Sequence, residues 1–234
     1  MANYTLVIVD TTGIQSYIFG SNRLRENTGA SHLVYLATEG WLYSDPASLL
    51  DTSVHNLQEG KIVAGLRIED GLDVEVLYAG GGNTVLLFGS EGNLDAAKAF
   101  TGNLSRKLIE EAPGLETVAV HQAVDFVNGS LATAFKKGFE QLRKRKAARE
   151  RSQPLLGLGV TAACRSTGLV ANYEQVDPGE GSKILVSSQV KAKWNKNGPA
   201  NERLNKELGE LLLNHYQFPL DFDDLGRSKG DFSY

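Results

Sequence analysis

Asp10 ends an apolar run that begins at Tyr4, and Thr11, Thr12 and Gly13 follow it directly. Further along, Gly80, Gly81, Gly82 and Asn83 join two more apolar runs. A carboxylate at a strand end beside a glycine turn is an arrangement that can hold divalent metals against phosphate. That chemistry needs two carboxylates, because the metals bridge phosphate oxygens and neutralise developing charge. Only Asp10 is present, and the turn Gly80–Asn83 contains no acid. No catalytic residue is therefore assigned, and the two segments are expected to face a nucleotide rather than to transfer phosphate. The plain alternative for Asp10 is a cap on the following turn. Triple glycine permits positive φ and lets a ligand touch the backbone; it also suits a tight hairpin with no ligand. The Asn83 amide could donate to a phosphate or ribose, but asparagine is also a common turn residue.

Gly13, Ile14 and Gln15, with Ser31, are assigned to the same nucleotide-facing surface, because a helix N-terminus offers free N–H groups to an anion. Ordinary strand-to-helix packing is the alternative. A basic run contains Lys136, Lys137, Arg143, Lys144, Arg145, Lys146, Arg149 and Arg151, opposed by Glu140 and Glu150. Arg143, Lys144 and Arg145 are its candidate nucleic-acid contacts; a solvated helix face is the competing explanation. Phe135 and Phe139 are the aromatics there, too few for base stacking. His32, His55, His121 and His215 are scattered without metal-ligand spacing, so no metal site is assigned. Neither a nucleophile elbow nor a P-loop occurs.

These residues must be positioned by regular elements. Residues 4–10 suit a central strand covered on both faces, and a short helix runs over 14–19. A second helix opens at Gly29-Ala30-Ser31, passes Leu33, Leu36 and Trp41, and stops at Asp45-Pro46. Residues 61–68 read as a short edge strand, and 73–78 with 84–88 as a hairpin. Asn93 caps a helix to about Ala112, and 116–126 is another strand. The order is strand–helix–strand–strand–helix–strand, so the fold class is α+β and ferredoxin-like. A basic helix over 131–151, an irregular glycine-rich stretch over 157–182 and a helix over 201–216 follow. The expected division is a ferredoxin-fold domain over 1–128, a mostly helical appendage over 129–217 and a linker over 218–234.

The chain has 234 residues, 41% apolar and 22% charged, as in an ordinary globular protein able to bury a sizeable core. A net charge of −4 gives no bulk attraction to nucleic acid or membrane. The single cysteine, Cys164, rules out an internal disulfide and fits a reducing cytoplasm. No apolar stretch here is expected to span a bilayer.

Residues 10–19, Leu24-Arg25, Gly29-Ala30-Ser31 and Tyr78 to Asn83 resemble the first palm domain of the large, polymerase-like subunit of type III CRISPR effector complexes. The resemblance covers roughly residues 4–126. That family is related to nucleotidyl cyclase and GGDEF domains and makes cyclic oligoadenylates in antiviral defence. It holds nucleotides between two palms, and its catalytic Gly-Gly-Asp-Asp hairpin lies in the second. The resemblance implies a non-catalytic palm that binds ATP together with a second palm, with magnesium needed only in the parent protein. It implies other effector subunits and RNA as partners. It also implies a zinc module of paired cysteines, which Ala163 to Gly168 matches as one degenerate knuckle. One thiolate cannot satisfy tetrahedral zinc. The closing Gly230 to Tyr234 is expected to lead into a second palm, making the chain a fragment. Two alternatives stand beside this: a self-sufficient nucleotidyl cyclase acting as a dimer, and a scaffold that only docks other subunits.

Overall fold

The computed structural model describes residues 4–44, 49–89, 93–126, 130–149, 159–177 and 181–209. The expectations for Asp45-Pro46, for 210–216 with His215, for 218–234, and for Glu150 and Arg151 lie outside the described residues. Chain contacts divide into two units, one of residues 1–14 and 34–152, the other of 15–33 and 153–234.

The first unit is built on β1 (Tyr4–Thr12), whose Leu6, Val7, Ile8 and Val9 are fully buried. β-Branched and leucine side chains suit a strand covered on both faces. β1 pairs antiparallel with β5 (Asn83–Phe88) and β6 (Glu116–Val124), and β5 pairs with β4 (Val74–Gly80). The order β4-β5-β1-β6, all antiparallel, is the ferredoxin-like arrangement expected from the element order. The short pair β2 (Leu57–Gln58) and β3 (Lys61–Ile62) forms a separate hairpin. Residues 61–68 are therefore not an edge of the main sheet. Asn56 meets that edge instead: its amide donates to Val76 O at 3.0 Å and its carbonyl accepts Val76 N–H at 2.7 Å.

Period-two geometry sorts the side chains. Leu6, Ile8 and Asp10 share a face with their register partners Leu87, Val85 and Asn83. Helix α4 (Asn93–Glu111) buries Phe100 beside Phe88 on the opposite face. A βαββαβ unit supplies helices to one face only. Here α5 (Leu131–Ala148) covers the other, packing Ala134 and Leu142 with Leu6, Ile8 and Val120. Ser130 caps it, accepting Thr133 N–H at 3.2 Å.

Helix α1 (Ile14–Phe19) follows β1 and runs into the second unit. α2 (Leu24–Tyr35) begins earlier than expected, because Ser21 Oγ accepts Arg23 N–H at 3.1 Å and Arg23 O accepts the N–H of Glu26 and Asn27. It continues through a π-helical turn, Leu36–Gly40, into α3 (Trp41–Ser44). The stretch expected to be irregular, 157–182, contains a strand, β7 (Tyr173–Val176), which pairs antiparallel with β8 (Lys183–Val186) just beyond it. The last described helix, α6 (Ser188–Leu208), starts before the expected Asn201 and carries Pro199 in its interior. Ser187 caps it, and the lost Pro199 donor does not end it.

Within the second unit, α2 and α6 cross closely enough that a Cβ on Gly29 would lie 1.7 Å from Lys193 O. Lys193 is only 1% exposed and donates to Tyr17 O at 2.6 Å. Burial pushes its ammonium pKa down, and the nearby Glu26 charge partly offsets this. Fully buried Glu26 accepts from Ser166 Oγ at 2.8 Å and from Trp194 Nε1 at 3.2 Å.

Candidate functional site

The β4–β5 connection is a two-residue turn closed by the Gly80–Asn83 pair. Gly81 and Gly82 have φ of +58° and +92°. Positive φ at both central positions is what a type I′ hairpin turn requires. Gly82 O accepts Thr11 N–H at 2.8 Å, tying the turn to the end of β1. A Cβ on Gly82 would sit 2.4 Å from Ile14 Cδ1, so the turn and the start of α1 pack without spare room. Gly80, Asn83 and Asp10 are successive neighbours across three strands. The structure thus gathers Asp10, Ile14, Gly80, Gly81, Gly82 and Asn83 at one end of the sheet, with Gly13 (φ +65°) next in sequence to Ile14. The hydroxyl of buried Thr11, beside Gly82, has no hydrogen-bond partner.

Gln15 and Ser31 belong to the second unit. Ser31 lies well inside α2 and not at its N-terminus, so the helix-terminus reason for choosing it does not hold. α1 has only six residues, too short for a helix-dipole argument at Gly13, Ile14 and Gln15.

Asp10 is engaged by a residue that the motif did not predict. Its carboxylate pairs with the Lys146 ammonium from the last turn of α5. The side chains remain 19% and 33% exposed, so the pair is reachable from solvent. Arg149 Nη1 lies 3.3 Å from Thr12 Oγ1 and 3.4 Å from Glu116 Oε2, and Arg145 Nη1 lies 2.5 Å from Ala119 O. The end of α5 therefore sets cations against the ends of β1 and β6. The sequence held a signal for this: Lys146 and Arg149 follow the core residue Leu142 at helical spacing. A second carboxylate also approaches the turn from outside the motif. A Cβ on Gly80 would meet Glu39 Oε2 at 3.4 Å, and one on Gly81 would meet the Tyr78 hydroxyl at 3.3 Å. Glu39 sits in the π-helical turn, a deviation often found at functional sites.

The basic run splits in two. Arg145 reaches back to a β6 carbonyl, whereas Lys136, Lys137, Arg143 and Lys144 lie on the exposed side of α5. Exposed Phe139 lies among them, stacked on Phe135.

The zinc module implied by the resemblance does not fit this chain. Cys164 is buried. Burial raises its thiol pKa, but hydrogen bonds from the Thr167 side chain, Ser187 and the Ser166 backbone outweigh that and leave it below its usual value. Thr167 stands three residues after Cys164, the spacing at which a second thiolate would be needed. Thr167 Oγ1 and Ser187 Oγ lie 3.3 Å apart, while Val190 packs with Cys164 and Val186. Hydroxyl hydrogen bonds and apolar packing surround Cys164. Among the described residues no group of three His, Cys, Asp or Glu side chains could hold a metal ion. No helix among them is long and apolar enough to cross a membrane.

No protein-family model matches the sequence, and no curated protein does. Among solved structures the chain is similar to Csm1 of type III CRISPR Csm complexes. Csm1 in the Csm1–Csm4 cassette with cA4 is 18% identical at a TM-score of 0.44, the match covering 63% of this chain and 19% of that one. The cassette with AMPPNP gives 18% identity, a TM-score of 0.44 and the same coverage. Csm1 of T. onnurineus is 18% identical at a TM-score of 0.41, over 80% of this chain and 24% of that one. The chain thus spans about a fifth to a quarter of these proteins.

Proposed function

We propose that this chain is a non-catalytic palm of a Csm1-type cyclic oligonucleotide synthase, acting in CRISPR antiviral defence. It offers one face of an ATP site that a second palm completes. The observation that carries this is the ladder Gly80–Asn83–Asp10, where a glycine turn and a strand-end acid are neighbours and the turn itself carries no acid. Backbone exposed by glycine suits a phosphate or ribose. The nucleotide's identity as ATP follows from the sequence resemblance. A self-sufficient cyclase is disfavoured, because phosphoryl transfer depends on metal and positioning, and Asp10 is already paired with Lys146.

The outer side of α5 supports a further role in assembly. Lys136, Lys137, Arg143 and Lys144 are exposed on one helix, a suitable footprint for RNA or an acidic partner subunit.

The test has two parts. With ATP and magnesium the chain should make no cyclic oligoadenylate. Titration with ATP should give saturable binding that Gly81→Val removes while the protein stays folded. Cyclic product from the pure chain, abolished by Asp10→Ala, would establish the cyclase instead. Absence of ATP binding would leave the scaffold.

A further inference from the structure

We propose that the Lys146 ammonium is a built-in cation for nucleotide phosphate, so that this chain binds ATP without a divalent metal. The proposal rests on the nucleotide-binding function above and specifies how the phosphate is neutralised. A strand-end carboxylate beside a hairpin acid would share a metal between them. In this chain the hairpin position is the neutral Asn83, and Asp10 carries an ammonium already. Mg²⁺ demands nearly ideal octahedral oxygen coordination and gives up water reluctantly. Asp10, whose charge is already matched, offers it little.

An ammonium has three donors. Asp10 takes one from Lys146, and the side chain is still one-third exposed, which leaves donors for an incoming oxyanion. The surroundings favour an anion as well. Arg145, Lys146 and Arg149 face this end of the sheet against Asp10 and Glu116, and Arg145 is bonded to a neutral carbonyl. Three cations thus stand against Asp10 and Glu116 where β1 ends, while Glu39 approaches the turn at Gly80. Asp10 acts as a positioning residue: it holds Lys146 at the strand end, beside the residue that pairs with Gly80.

The experiment titrates the chain with ATP in excess EDTA and again in magnesium, using calorimetry or a fluorescent ATP analogue. Variants Lys146→Met, Lys146→Arg and the charge-balanced double Asp10→Asn/Lys146→Met are compared, each checked for folding by circular dichroism. Affinity should agree within about twofold between EDTA and magnesium. It should fall roughly tenfold or more, equivalent to about 1.4 kcal/mol, in Lys146→Met and in the double variant, with partial retention in Lys146→Arg. Binding that disappears in EDTA, or that survives Lys146→Met unchanged, overturns the proposal. If ATP binds under neither condition, the nucleotide-binding function fails. Inorganic tripolyphosphate in EDTA then decides the ammonium's role by itself: Lys146-dependent binding upholds it, and no binding overturns it.

Discussion

Gly82→Ala should be markedly more damaging than Gly81→Ala, although both residues lie in the same two-residue turn. Both hold positive φ, which costs an L-residue about 1–2 kcal/mol. At Gly81 the new methyl would meet only the tip of half-exposed Tyr78 at 3.3 Å, and that ring can swing away. At Gly82 it would lie 2.4 Å from Ile14 Cδ1, well inside contact distance. Ile14 must then leave its rotamer or move the start of α1, adding about 1–2 kcal/mol. The expected losses are thus about 1–2 kcal/mol for Gly81→Ala and about 2–4 for Gly82→Ala. For a chain of this size that difference is several degrees in Tm. Ile14→Val deletes the clashing atom. By itself it should cost about 0.5–1 kcal/mol, but in the Gly82→Ala background it should restore about 1 kcal/mol. Urea unfolding read by circular dichroism and by fluorescence would measure all four proteins. Trp41 reports on the first unit and Trp194 on the second, which keeps a local loss separate from a global one. Equal losses at the two glycines, or no recovery with Ile14→Val, would refute the packing of turn against helix.

Gly29→Ala should be worse still, because the obstructing atom at 1.7 Å is the Lys193 backbone carbonyl; proteolysis should expose the second unit first, and near-normal resistance would contradict the close crossing of α2 and α6. His32 should make stability depend on pH. Burial, with the positive charges of Arg203 and Lys196, lowers its pKa from 6.5 to about 4. The unfolded chain then binds the proton more readily between those values, so stability from this group is complete above about pH 6.5 and declines as pH falls toward 4. At about 1.36 kcal/mol per pH unit the loss is at most roughly 3 kcal/mol. His32→Gln should flatten that slope in denaturant titrations, and an unchanged slope would count against the assignment. Charge reversal at Arg143 and Lys144 should weaken RNA or acidic-subunit binding by the assembled complex and reduce its salt dependence, with little change in Tm; equal affinity at low salt would leave a solvated face. Purified protein should carry no stoichiometric zinc by metal analysis, and Cys164→Ser should not alter that.

The ferredoxin-like order was legible because β1, β4, β5 and β6 announce themselves as apolar runs and Asn93 marks the start of α4. The gathering of Asp10 and the Gly80 turn was legible for the same reason, since that topology makes their strands neighbours. Lys146 was visible only as one charge in a basic run. Its pairing depends on which side of α5 faces the sheet, and Leu142 decides that through tertiary packing. The early start of α2 depends on a hydroxyl cap at Ser21, a weak local signal beside the stronger Gly29-Ala30-Ser31 punctuation. α6 was obscured by Gly198-Pro199, which reads as a stop but is carried inside the helix. The packing of Cys164 with Val186 and Val190 was not legible, because it joins residues some twenty positions apart through tertiary contact.

Asn56 has a consequence for how this protein can associate. An uncovered strand edge is a template on which another chain can crystallise its own backbone, in aggregation as in assembly. At Val76 both backbone groups of the β4 edge are already answered by one side chain acting as a counterfeit strand. A newcomer would have to evict that amide before adding a strand there. The sheet is thus terminated in the middle of β4 by a residue outside the sheet, and growth by strand addition is discouraged on that side once the protein has folded.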